Sequence, residues 1–144
     1  MIYPYENYLH VREITGEGVK AFLEQGARYY EQTPPGAPPK HDPSVRHYNF
    51  GQLEGVAYRL NVSKPVGARV EDLRYRGRPV VPTDRFRLAV NSYRAAGGGG
   101  FDMVRQTPLV KRIPKDIRSL LLEYVQRHGT IKVRPSGNWS IVTR

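Results

Sequence analysis

The 144-residue chain contains no cysteine, which removes disulfide staples and thiolate chemistry together. No apolar run approaches the roughly 18 residues of a membrane-spanning helix. Met1-Ile-Tyr-Pro-Tyr-Glu6 has neither a charged n-region nor an apolar h-region, so it is not read as a signal peptide. Histidine is scarce. His10, His41, His47 and His128 are scattered and form no His-x-His or His-Glu-x-x-His group. There is no Gly-x-Ser-x-Gly elbow, no phosphate-loop lysine and no Cys-x-x-Cys pair. Acid is in short supply too, with 13 Asp and Glu against 23 Lys and Arg. The carboxylates offer no close pair beyond Glu71 and Asp72, whose side chains fall on opposite faces of an extended segment. A self-contained catalytic site is absent from the sequence, and binding is the chemistry left to look for.

What is present fits one domain, since a domain takes about 100–200 residues. The hydrophobic share of 39% is enough for a core, and 12 prolines with 14 glycines predict long loops. The net charge of +10 raises nucleic acid as a partner. Only Arg74-Tyr-Arg-Gly-Arg78 is locally dense in arginine, and it reads as a hairpin turn. Elsewhere the charge is diffuse, the pattern of a solvated basic surface. Such a field draws phosphate-bearing small molecules as well as polymers. A basic, non-enzymatic nucleic-acid-binding domain is therefore the alternative reading, and it predicts binding that weakens steeply with salt.

Along the chain, Tyr8-Leu-His-Val-Arg-Glu-Ile14 alternates as a half-buried strand does, with His10 on its polar, solvent-facing phase. Thr15 is placed to cap a helix whose apolar stripe is Val19, Phe22, Leu23, Ala27 and Tyr30. The proline-rich stretch from Thr33 to Asp42 predicts a surface loop. Val56–Val62, Arg69–Tyr75 and Phe86–Tyr93 read as strands, with a turn at Arg76-Gly77. Leu109–Ile113 reads as a short strand. Pro114 is expected in the first turn of a helix carrying Ile117, Leu120, Leu121, Tyr124, Val125 and His128 on one face and ending at Gly129. Ile131–Arg134 and Trp139–Val142 are expected as closing strands. Clustered strands without strict alternation predict an α+β fold, sheets with flanking helices in a single domain.

The most informative stretch is Asn91-Ser-Tyr-Arg-Ala-Ala-Gly-Gly-Gly-Gly-Phe101. Four consecutive glycines, Gly97, Gly98, Gly99 and Gly100, are costly in backbone entropy, so a folded chain keeps them where backbone must bend sharply or approach something closely. Tyr93 and Arg94 beside them offer a stacking face and a positive charge.

Tyr3-Pro-Tyr-Glu-Asn7, running into Leu9-His-Val-Arg-Glu-Ile-Thr-Gly16, and Tyr48-Asn-Phe50, Gly55-Val-Ala-Tyr58, Ser63–Val70, Gly77-Arg-Pro79 and the glycine run, taken in order, resemble the C-terminal domain of the 5′-nucleotidase superfamily. The pattern is most similar to the 2′,3′-cyclic-nucleotide 2′-phosphodiesterase/3′-nucleotidase branch and spans nearly the whole chain, which implies one such domain over residues 1–144. The resemblance implies that this chain is the nucleotide-binding half of a phosphoric ester hydrolase and is inactive alone. It implies an N-terminal metallophosphoesterase domain in the same polypeptide, two divalent metal ions held there, and an exported parent. A nucleotide or nucleoside is the implied ligand, its base held between Tyr5 and Tyr93, with Arg94 and Gly97 to Gly100 around it. No membrane is implied, and nucleic acid is not the expected partner. Many 5′-nucleotidases have Gly-Gly-Asp-Gly in this loop, with the aspartate accepting from ribose hydroxyls. Gly99 stands at that position, which fits a 2′,3′-cyclic phosphate that has no free hydroxyls there. Arg94 is expected either to attract phosphate or to pair with a carboxylate.

Overall fold

The computed structural model describes residues 3–132 and 134–144. It is mixed α and β, as the clustered strands predict. Contacts gather the chain into two compact units, Met1–Ile14 with Arg85–Ser136, and Thr15–Asp84 with Gly137–Arg144.

The first unit is built on a sheet of β1 (Tyr8–Thr15), β5 (Arg85–Asn91) and β6 (Leu109–Asp116) in the order β5-β1-β6. Ile14, Leu88 and Val90 are buried with Ala95, Phe101 and Val104, the last three drawn from the short helices α2 (Ser92–Ala95) and α3 (Asp102–Arg105) and the glycine loop between them. Arg12 donates from Nη1 to the Thr107 carbonyl at 2.7 Å and from Nη2 to the Ala95 carbonyl at 3.2 Å, tying β1 to that layer.

Several local expectations change in this unit. The strand ends at Asn91, whose side chain accepts from the Arg94 amide and caps α2, so Ser92 and Tyr93 are helical rather than extended. Pro114 lies within β6, not in a helix. Between the paired positions Tyr8↔Asp116 and His10↔Arg112, β6 advances further than β1, and this irregularity on an edge strand accepts a residue with no amide to donate. The helix instead starts one turn later as α4 (Ile117–His128), because Asp116 Oδ1 accepts from the Ser119 amide at 3.0 Å. Gly129 closes it at φ +65°. The apolar stripe of α4 is not buried within this chain, and Leu121, Tyr124 and Val125 stay exposed. His128 Nδ1 lies 2.8 Å from the Tyr124 carbonyl and its ring stacks on Tyr124. Neither ring nitrogen of His10 has exposed area or a partner, so His10 does not face solvent. Burial, then Arg112 and Arg12, lower its pKa. Ile131, Lys132 and Arg134 form no strand, and Val133 lies outside the described residues.

The second unit packs helix α1 (Gly16–Ala27) against a sheet of β2 (Ala57–Asn61), β3 (Val70–Tyr75), β4 (Arg78–Pro79) and β7 (Trp139–Val142), ordered β4-β3-β2-β7. Thr15 caps α1 by accepting from the Gly18 amide, as its position predicts. Val19, Phe22, Leu23 and Ala27 are buried, as are Tyr58, Leu60 and Val70 of the sheet, whereas Tyr30 lies past the helix end in a bridge to His41. Arg76 and Gly77, both at positive φ, make the tight β3–β4 turn. β7 runs parallel to β2, with Asn138 donating to the carbonyls of Leu53 and Val56 at 2.8 Å each and accepting from the Tyr58 amide.

Two buried polar groups in this unit carry long-range order. Glu24 accepts from the amides of Gly67, Arg69 and Val70 at 2.8–3.1 Å. Arg69, 1% exposed, donates to the carbonyls of Ala27 and Tyr30 just where α1 runs out of intrahelical partners. α1 also approaches backbone directly. A Cβ on Gly26 would sit 2.1 Å from the Gly51 carbonyl oxygen. Gly26→Ala is therefore expected to lose about 1–3 kcal/mol of stability, the usual range for overpacking. Urea denaturation reads it, and an unchanged midpoint would contradict the close approach.

Glu71 contributes to the acid limb of stability. Its carboxylate is held down from 4.5 to about 2 by hydrogen bonds from Lys64, Asn61 and Arg144. The Lys64 and Arg144 nitrogens lie 2.8 and 2.6 Å away. Because the folded pKa is depressed, this stabilisation is complete above pH 4.5 and disappears as pH falls toward 2, where the unfolded chain binds the extra proton first. Stability measured by denaturant across that window should fall less steeply in Glu71→Gln than in the parent chain. Parallel slopes would contradict the assignment.

Candidate nucleotide-binding site

The residues singled out in the sequence all lie in the first unit. Tyr5 lies in the segment before β1, and Tyr93 is the second residue of α2. Both rings reach solvent, with Tyr5 57% and Tyr93 43% exposed. Their segments are hydrogen-bonded together although they lie far apart in the chain. The Ser92 hydroxyl donates to Asn7 Oδ1 at 3.0 Å and accepts from the Tyr8 amide at 3.1 Å. Asn91 Nδ2 donates to the Tyr3 hydroxyl at 3.2 Å.

The glycine run has a distinct reason at each step. Gly97, Gly99 and Gly100 take φ of +87°, +75° and +82°, a region that side chains disfavour. Gly98 has ordinary φ, but the Tyr93 ring occupies the space of its missing side chain. A Cβ there would lie 2.5–2.6 Å from Tyr93 Cε2, Cδ2 and Cζ. Four glycines thus turn the chain sharply and lay bare backbone beneath an aromatic ring, giving Tyr93 a fixed floor on one side.

Arg94 lies largely buried beside the glycine loop. It is 9% exposed, its guanidinium carbon lies 4.0 Å from the Phe101 ring centroid, and Nη1 donates to the Gly98 carbonyl at 2.7 Å. A guanidinium sandwiched in this way braces the glycine loop from below. Phe101 is fully buried and anchors the far end of the loop.

The sequence reading overlooked Tyr3, Asn7, Asn91 and Ser92, which join the two aromatic segments. Only Asn91 carried a local signal. An asparagine followed by Ser-Tyr-Arg-Ala is a helix-cap pattern, hidden here by the strand before it. Among the described residues, no group of three or more His, Cys, Asp or Glu side chains could hold a metal ion. No helix among them is long and apolar enough to cross a membrane. The side chains gathered here can stack, donate and turn backbone toward a ligand, and they include no pair suited to acid–base cleavage.

Comparison with known proteins identifies the family of this fold. The family profile "5'-nucleotidase, C-terminal domain" matches residues 1–106. The chain is 31% identical to a trifunctional nucleotide phosphoesterase protein of Bacillus subtilis, over 97% of this chain and 11% of that protein. It is 30% identical to a 2',3'-cyclic-nucleotide 2'-phosphodiesterase/3'-nucleotidase of Haemophilus influenzae, over 98% of this chain and 24% of that protein. Among solved structures, a Staphylococcus aureus protein described as a 5'-nucleotidase superimposes with a TM-score of 0.87 at 26% identity, covering 96% of this chain and 28% of that one. A 5'-nucleotidase precursor of Thermus thermophilus shares the fold, with a TM-score of 0.75 at 20% identity over 99% of this chain and 27% of that one. The chain therefore spans about a tenth to a quarter of the length of these curated relatives. With the matched profile covering most of its length, the chain belongs to the 5'-nucleotidase C-terminal domain family.

Proposed function

We propose that this chain is the substrate-recognition domain of a nucleotide phosphoesterase, holding a nucleobase between Tyr5 and Tyr93. The observation that carries the reading is two exposed tyrosine rings on hydrogen-bonded segments, one of them floored by Gly98. A base between two rings sheds water from both faces, and each stack contributes on the order of 1–3 kcal/mol with little preference among bases. Gly97 to Gly100 shape the rim, and Arg94 acts through the loop it braces. The basic charge of the chain favours an anionic ligand over a free nucleoside.

The bond-breaking groups belong to a metallophosphoesterase domain of the same polypeptide, in an exported parent. The described residues do not suit a metal centre, so the two metal ions implied by the family resemblance would be held by that domain. This domain contributes positioning, which lowers a barrier by fixing the reacting group in place before reaction. Gly99, with no acceptor side chain, favours a 2′,3′-cyclic phosphate over a ligand with two free ribose hydroxyls.

The test is a titration of the 144-residue chain with adenosine 2′,3′-cyclic monophosphate, followed through the NMR signals of the tyrosine rings. Saturable shifts should concentrate at Tyr5 and Tyr93. Saturable shifts confined to other residues would overturn the base-holding role. Salt separates the nucleic-acid alternative, which requires tight oligonucleotide binding with a steep loss between low and physiological ionic strength.

A further inference from the structure

The geometry points to Tyr3 as a positioning residue, the centre of a hydrogen-bonded clasp with Asn7, Asn91 and Ser92 that holds the Tyr5 ring in register with the Tyr93 helix. This inference rests on the base-holding reading of Tyr5 and Tyr93.

The Tyr3 hydroxyl accepts from two asparagine amides, Asn7 Nδ2 at 3.0 Å and Asn91 Nδ2 at 3.2 Å. Each asparagine uses its other amide atom on the opposite segment or its own helix. Asn91 Oδ1 accepts from the Arg94 amide at 2.8 Å and so fixes the first turn of α2, where Tyr93 sits. Asn7 Oδ1 accepts from Ser92 Oγ at 3.0 Å. Both amide orientations are thereby determined, and the Tyr3 hydroxyl becomes the point where the Tyr5 segment and the α2 cap meet.

Tyr3 also touches its neighbour directly. The two rings form a T-shaped pair, with centroids 6.0 Å apart and planes at 83°. Tyr3 reaches this position through a left-handed backbone at φ +53°, unusual for a bulky residue. Its carbonyl is held by Arg118 Nε at 3.1 Å, and the Asn7 carbonyl by the Ile117 amide at 2.8 Å, so α4 pins both ends of the segment. An exposed ring free to change rotamer must be ordered when a ligand arrives, which weakens binding. A ring already braced by a neighbouring one avoids that cost.

Tyr3→Phe isolates the effect, because it keeps the ring and removes only the hydroxyl that the two asparagines share. In the full chain we expect it to weaken binding of adenosine 2′,3′-cyclic monophosphate by about threefold to tenfold, the equivalent of one hydrogen bond. The thermal midpoint should barely move, since the segment lies at the edge of the fold. A second readout needs no ligand. Tyr5 ring resonances, displaced by the Tyr3 ring in the parent chain, should move toward free tyrosine values and average over rotamers in Tyr3→Phe. Unchanged Tyr5 resonances in that variant would overturn the clasp whatever the ligand does. If Tyr3→Phe binds like the parent while Tyr5→Ala does not bind, the clasp fails and the base-holding reading stands. If Tyr5→Ala binds like the parent, the base-holding reading fails, and the ligand-free spectrum alone decides whether Tyr3 orders Tyr5.

Discussion

Replacing both Tyr5 and Tyr93 by alanine should lower affinity for a nucleoside 2′,3′-cyclic phosphate by more than about a hundredfold, and either single change by about tenfold. The magnitude follows from stacking, since about 1.4 kcal/mol corresponds to a factor of ten and each ring contributes on that order. Both rings are substantially exposed, so their removal should leave stability within about 0.5 kcal/mol of the parent. Binding would then fall without unfolding, a separation that calorimetric titration and thermal denaturation read on the same samples. Phenylalanine at either position should retain most of the affinity, because the face of the ring does the holding. Single variants that bind within twofold of the parent would remove the base-holding reading. In an intact phosphoesterase of this family the same loss should appear in kcat/KM.

Phe101→Ala should have the largest effect on folding, about 3–5 kcal/mol, the range for deleting a buried aromatic side chain. Phe101 is fully buried, and the Arg94 guanidinium lies 4.0 Å from its ring centroid. Deleting the ring leaves a cavity and also strips a buried cation of its aromatic cover. Arg94 donates to the Gly98 carbonyl, and Gly98 floors Tyr93. The variant should therefore lose the ordered setting of Tyr93 together with its stability. Phe101→Leu, which refills much of the volume, should lose markedly less. Guanidinium denaturation measures both, and a loss below about 1 kcal/mol for the alanine variant would show that Phe101 does not anchor the loop.

How far the sequence spoke for the structure depended on the distance over which each feature is decided. Thr15 as a cap, the α1 stripe, the Arg76-Gly77 turn and the glycine run were legible because each is settled by a few consecutive residues. The family resemblance was carried by the same short motifs, and Tyr5 and Tyr93 were named from them. Pro114 was misread because nothing local distinguishes the first turn of a helix from an irregular edge strand, and the pairing of β6 with distant β1 decides between them. The burial of Arg94 depends on Phe101 folding back over the loop, which no run of neighbouring residues announces. Tyr3, 88 positions from Asn91, could be linked to it only in three dimensions.

The parallel placement of β7 beside β2 has a kinetic corollary. As the ribosome delivers this chain, β2 and β3 emerge long before Trp139–Val142, and every residue from 85 to 136 must follow first. At typical synthesis speeds of about 5–20 residues per second, one flank of β2 stays unpaired for about 4–16 s. An open flank invites other nascent chains to add on, and the exposed ion pair of Arg59 on β2 with Asp72 on β3 makes that surface less hospitable to them.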